Sequence, residues 1–172
     1  MTPEMPEFGA LASPAEGVLW FRQPLPMKVG SVNCWLIEDH DGWALIDAGF
    51  GDAAGLDWWR DMLAGPLAGL RLSRLIVTHA HVDHIGAAGL ICRARDIPLI
   101  MTAREWDLAR TARCGPEPWL DDLYLKLGAE TGQRSGIMTF LGHCCRSQRG
   151  IEHPPFPVRL MPRVRSRLGR AR

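Results

Sequence analysis

The chain has 172 residues, of which 47% are hydrophobic and 23% charged, and a formal net charge of +1. That length and balance describe a single globular domain with a buried core. No run approaches the ~20 apolar residues of a membrane span. Five scattered cysteines without a Cys-x-x-Cys pair exclude a disulfide framework, so free thiols in a reducing cytoplasm are expected.

Residues 1–16 carry Pro and Glu without a basic start or an apolar core, so they read as a loose arm and not as a signal peptide. Val18 to Arg22 reads as a first strand, followed by an extended link at Pro24 and Pro26. Val32 to Glu38 and Gly42 to Asp47 form a predicted hairpin, with His40 exposed in its turn. Asp52 to Ala64 has helical spacing, with Leu56, Trp59 and Leu63 on one face and Asp52 as the cap. Trp58 and Trp59 suit a substrate wall, but aromatics at this spacing are more often core. Gly65 and Pro66 end the helix.

Leu75-Ile76-Val77 is a short buried strand leading into Thr78-His79-Ala80-His81-Val82-Asp83-His84-Ile85-Gly86. A predicted helix follows to about Arg95, and Pro98 to Met101 is a further strand, so strand and helix alternate as in an α/β layer. Residues 103–113 and 117–127 are predicted helices.

The loop from His79 to His84 gathers three His and one Asp between a strand end and a helix start. Imidazole suits zinc and iron, and carboxylate completes such donor sets. In an extended segment His79 and His81 point to one side, so both can reach one ion. Asp83 and His84 follow the turn and can face a second ion. As a competing reading, Asp83 is simply the cap of the next helix.

The His-x-His-x-Asp-His-x-Gly pattern resembles the signature of the metallo-β-lactamase fold hydrolases. The segment Asn33 to Glu38, followed by Trp43 to Gly49, is similar to that family's early hairpin with its Asp-x-Gly turn. The resemblance covers residues 17–145. It implies an α/β fold, an αββα sandwich of two sheets with outer helices, of which this chain carries the first half. It also implies two zinc ions, with iron as the alternative metal: His79 and His81 on the first, Asp83 and His84 on the second. Asp47 would brace the metal loop, and Asp83 would be catalytic, holding the nucleophile or the second metal. The implied activity is a metal-bound hydroxide attacking an ester, thioester or lactam bond of a small-molecule substrate. A helical lid over the cleft would fall at residues 103–140.

The family's later ligands have no clear counterpart. No Asp follows Asp122, and His143 and His153 are the only later histidines, with His143 as the possible substitute ligand. Residues 1–145 carry a net charge of −6 and residues 146–172 a net charge of +7. The Arg- and Pro-rich tail, 146–172, is expected to be disordered or out of frame. No basic cleft is evident before residue 146, so nucleic acid is not expected as a partner. A half-sandwich would leave apolar sheet surface exposed, so self-association through that face is expected. An inactive fragment with an incomplete metal site is the alternative to a working hydrolase.

Overall fold

A computed structural model describes residues 4–111 and 157–161. They build one seven-stranded mixed sheet in the order β1-β2-β3-β4-β5-β6-β7. The strands are β1 (Ala12–Ala15), β2 (Val18–Pro24), β3 (Ser31–Asp39), β4 (Gly42–Ile46), β5 (Leu72–Ile76), β6 (Leu99–Thr102) and β7 (Val158–Met161). The first four run antiparallel, and β4 to β7 run parallel. The helices are α1 (Ala53–Ala64), α2 (Val82–Ile85), α3 (Ala88–Arg95) and α4 (Ala103–Thr111). No helix among the described residues is long and apolar enough to cross a membrane.

Side chains alternate across a strand, so each strand has an inner and an outer set. Phe21, Cys34, Leu36, Leu45, Leu75, Leu99 and Met101 form the inner face, buried against Trp59 and Met62 of α1 and Ile91 and Cys92 of α3. Trp59 is fully buried and meets Phe21 edge-on, with ring centroids 5.8 Å apart, so it belongs to the core and not to a substrate wall. Asp52 caps α1 by accepting from Gly55 N–H at 2.7 Å, as its position predicts. Arg95 of α3 donates to the Leu63 and Leu67 carbonyls at 2.8 and 2.9 Å, tying α3 to the end of α1.

The outer face has a different character. One register row runs Trp20, Trp35, Ile46, Ile76, Ile100 across five strands. Trp20 and Trp35 stack with ring centroids 5.3 Å apart, and the neighbouring Ile37 is 46% exposed. No helix of the inner-face cluster covers this row.

Three expectations change. The arm is not loose throughout: Ala12–Ala15 pairs with β2, and Arg22 holds it by donating to the Pro6 carbonyl and lying over the Phe8 ring. The tail is not wholly irregular, because Val158–Met161 pairs in parallel with β6. The helix expected from Ile85 to Arg95 is broken between Ile85 and Ala88. The His84 carbonyl, which a continuous helix would pair with the Ala88 amide, accepts instead from Ala48 N–H at 2.7 Å. The predicted helix at 117–127, most of the lid at 103–140, His143 and His153 lie outside the described residues; only α4 of the lid is seen. The described residues form a single sheet, and the second sheet of the expected sandwich is not among them.

Candidate metal centre

The parallel strands β4, β5 and β6 end at one edge of the sheet, where open α/β sheets place their functional loops. Each delivers part of the site. β4 ends in Asp47, β5 runs on through Val77 into Thr78 to His84, and β6 leads directly into α4 with Glu105 in its first turn. Val77 N–H donates to the Ile100 carbonyl at 2.9 Å, and Asp47 N–H to the Ile76 carbonyl at 2.9 Å, so the three ends are locked together.

Asp47 organises the loop. It is buried, only 6% exposed, and has a left-handed backbone with φ of 62°. Its Oδ1 accepts from Thr78 N–H at 2.8 Å and from the Thr78 hydroxyl at 2.9 Å, and its Oδ2 accepts from His84 Nδ1–H at 2.8 Å. Burial pushes the carboxyl upward, but the bonds from His84 and Thr78 outweigh it and hold Asp47 below the usual carboxylate range. For His84 burial alone pulls downward, and Asp47 and Asp83 reverse this and raise it.

These bonds settle which ring nitrogens are free. Asp47 keeps a proton on His84 Nδ1, so Nε2 is the nitrogen left to bind. Thr78 spends its proton on Asp47, so its oxygen accepts from His79 Nδ1–H at 2.9 Å, and Nε2 is again the unprotonated nitrogen. His79 Nε2 lies 2.9 Å from His81 Nδ1, and the His79 and His84 rings are 4.0 Å apart at their centroids. Burial, followed by the neighbouring His84 and His81, depresses His79 despite Asp47 and Asp83, which favours the neutral, ligand-competent ring. Asp83 Oδ2 stands 3.7 Å from His84 Nε2. Asp83 is not a helix cap: the position before α2 is His81, and α2 has no side-chain cap. His81 is exposed, so the loop opens to solvent.

The donor set fits a divalent metal in kind. The His79–His81 nitrogens face each other at slightly less than the roughly 3.4 Å that two tetrahedral Zn–N bonds would span. In number the set does not close: among the described residues no three of His, Cys, Asp and Glu converge to hold an ion.

Two glycine contacts hold the Asp47 turn against the histidine loop. A Cβ on Gly51 would overlap the Gly86 carbonyl, and one on Gly86 would overlap Gly51 N and the Val82 carbonyl. Buried Gln23 fixes the same turn, accepting from Phe50 N–H at 2.6 Å and donating to the Phe50 carbonyl at 3.1 Å. Sequence reasoning assigned no role to Thr78, Gln23 or Glu105. Thr78 lay inside the motif, but Gln23 and Glu105 act across 27 and 25 residues of chain and leave no local spacing to read.

The fold and the loop define a class: a mixed-sheet α/β unit with a His-x-His-x-Asp-His loop at its parallel strand ends. A family model described as the metallo-beta-lactamase superfamily matches residues 27–141, and the chain belongs to that superfamily. Among solved structures it is similar to a beta-lactamase domain protein from Burkholderia ambifaria, with 32% identity and a TM-score of 0.60 over 65% of this chain and 38% of that one. It is also similar to a metallo beta lactamase from Erythrobacter litoralis, with 24% identity and a TM-score of 0.49 over 63% of this chain and 48% of that one. The match to the metallo-beta-lactamase FIM-1 from Pseudomonas aeruginosa, in its mono-zinc form, has 19% identity and a TM-score of 0.48, over 59% of this chain and 45% of that one. The chain therefore spans less than half the length of each of these structures. No curated protein matches it.

Proposed function

We propose that this chain carries the metal-binding half of a zinc-dependent hydrolase acting on an ester, thioester or lactam bond of a small molecule. The observation that carries this reading is the apposition of His79 Nε2 and His81 Nδ1, beside a His84 whose Nε2 is freed by Asp47. His79 and His81 would hold the first zinc, and Asp83 and His84 the second. A bound zinc supplies Lewis acidity and lowers the pKa of water from 15.7 to about 7. The chain's own contribution is orientation. Asp47 and Thr78 set the tautomers of His84 and His79, and Asp83, beside the exposed loop, accepts a proton or positions the nucleophile. Iron would suit the same nitrogen and carboxylate donors. The reading invokes neither a membrane nor a nucleic acid, and the free, buried Cys34 and Cys92 support a reducing cytoplasm as its compartment.

A second reading is favoured by one observation, the absence of any converging three-donor group among the described residues. In it the chain is a truncated, inactive portion with an incomplete metal site. Elemental analysis of the dialysed protein separates the two. The hydrolase reading expects bound zinc that falls away in His79→Ala and His81→Ala, and turnover of at least one ester, thioester or lactam. Near-zero metal in the unmodified chain would establish the second reading. Loss of metal in His143→Ala would make His143 the substitute ligand.

A further inference from the structure

Ala80 lies between the two histidines whose ring nitrogens meet. Its N–H donates to Glu105 Oε2 at 2.9 Å. Glu105 stands in the first turn of α4, and its own N–H donates to Thr102 Oγ1 at 3.3 Å, which fixes the helix directly onto the end of β6. β6 is the parallel neighbour of β5, so the carboxylate reaches the loop from the adjacent strand end. Asp47 holds the loop at Thr78 and at His84, and Glu105 holds it between them.

We propose that Glu105 is a positioning residue of the metal loop: by anchoring the Ala80 amide it sets the directions of both His79 and His81. Ala80 sits in the bend between His79 and His81, so a rotation of the peptide that carries its N–H changes both Cα–Cβ directions and turns the two rings apart. A side-chain oxygen that accepts the Ala80 amide gives this peptide a fixed anchor, which the amide oxygen of a Gln can supply as well. The metal-binding part of this inference rests on the proposed function; the loop-holding part does not.

The test uses the full chain with Glu105→Ala and Glu105→Gln, read in two ways. Amide hydrogen exchange of the metal-free protein reports the anchor, and titration with Co²⁺, followed by its visible absorption, reports ligand affinity and geometry. Glu105→Ala should lose protection at Ala80, bind Co²⁺ about 10-fold more weakly, as supporting residues of metal ligands typically do, and shift the spectrum. Glu105→Gln retains an acceptor oxygen and should restore all three. Unchanged Ala80 protection in Glu105→Ala would overturn the proposal. So would a Glu105→Gln variant as impaired as Glu105→Ala, since charge or direct ligation would then be the cause. If Glu105→Ala does not fold, Glu105→Gln decides alone, and must match the unmodified chain. If the unmodified chain takes up no Co²⁺, the proposed function fails, while the anchor still stands or falls on Ala80 exchange.

Discussion

At the scale of single residues, Asp47 carries the most consequence. It satisfies a backbone amide, a hydroxyl and an imidazole at once, and it does so from a left-handed backbone that side-chain-bearing residues other than Asn and Asp seldom adopt. Replacing it with Ala removes three partners and keeps the backbone strain. Asp47→Ala should therefore cost about 2–4 kcal/mol of stability, measured by denaturant unfolding of the metal-free protein. Asp47→Asn tolerates the same backbone and retains an acceptor for Thr78, so its cost should be clearly smaller. Equal losses in the two variants would show that the carboxylate charge, and not the backbone, dominates. The expectation that Asp47 braces the metal loop came only from the family motif. Its partner Thr78 was not, because a Thr beside a His has no spacing signature of its own.

At the scale of elements, α1 shows what periodicity can and cannot convey. The cap at Asp52, the buried Trp59 and the stop at Gly65 all follow from local pattern. The interruption between α2 and α3 does not, because its cause is the Ala48 amide arriving from 36 residues upstream. Trp59 joins α1 to the sheet, packed on Phe21 and on Trp58 at 5.3 Å, while its Nε1–H has no hydrogen-bond partner among the described residues. Trp59→Ala should cost about 3–5 kcal/mol, read from the unfolding midpoint. Trp59→Phe leaves out the unpaired donor and keeps most of the packing, so it should cost much less. A Phe variant as damaged as the Ala variant would mean that indole volume, and not polarity, limits the site.

At the scale of the whole molecule, the sheet is asymmetric. Its inner face is covered by α1 and α3, whereas the outer row from Trp20 to Ile100 is apolar and without a covering helix from that cluster. Alternating patterns in Val32 to Glu38 made the strands legible, and the strand–helix alternation made the parallel half legible. What the pattern could not supply was the partner of the outer face or the strand at Val158–Met161, which sits in an Arg-rich context with no strand periodicity. The row itself is half-buried and Ile37 beside it is exposed; apolar surface left open to solvent favours association, and we propose a second copy of the same face as its occupant. Sedimentation velocity should show concentration-dependent dimers that Ile37→Lys weakens, because Lys on that face would have to be desolvated. A monomer at every concentration would remove this expectation.

The Asp47 bonds also act as a check on strand alignment. Asp47 belongs to the end of β4, and Thr78 and His84 to the continuation of β5. A slip of one residue between these two strands would displace the partners by about 3.3 Å and turn alternate side chains to the wrong face. No hydrogen bond of 2.8 Å survives such an error. The histidine loop thus takes its ordered form only in molecules whose parallel strands have paired correctly, so proofreading of the fold and preparation of the site are a single event.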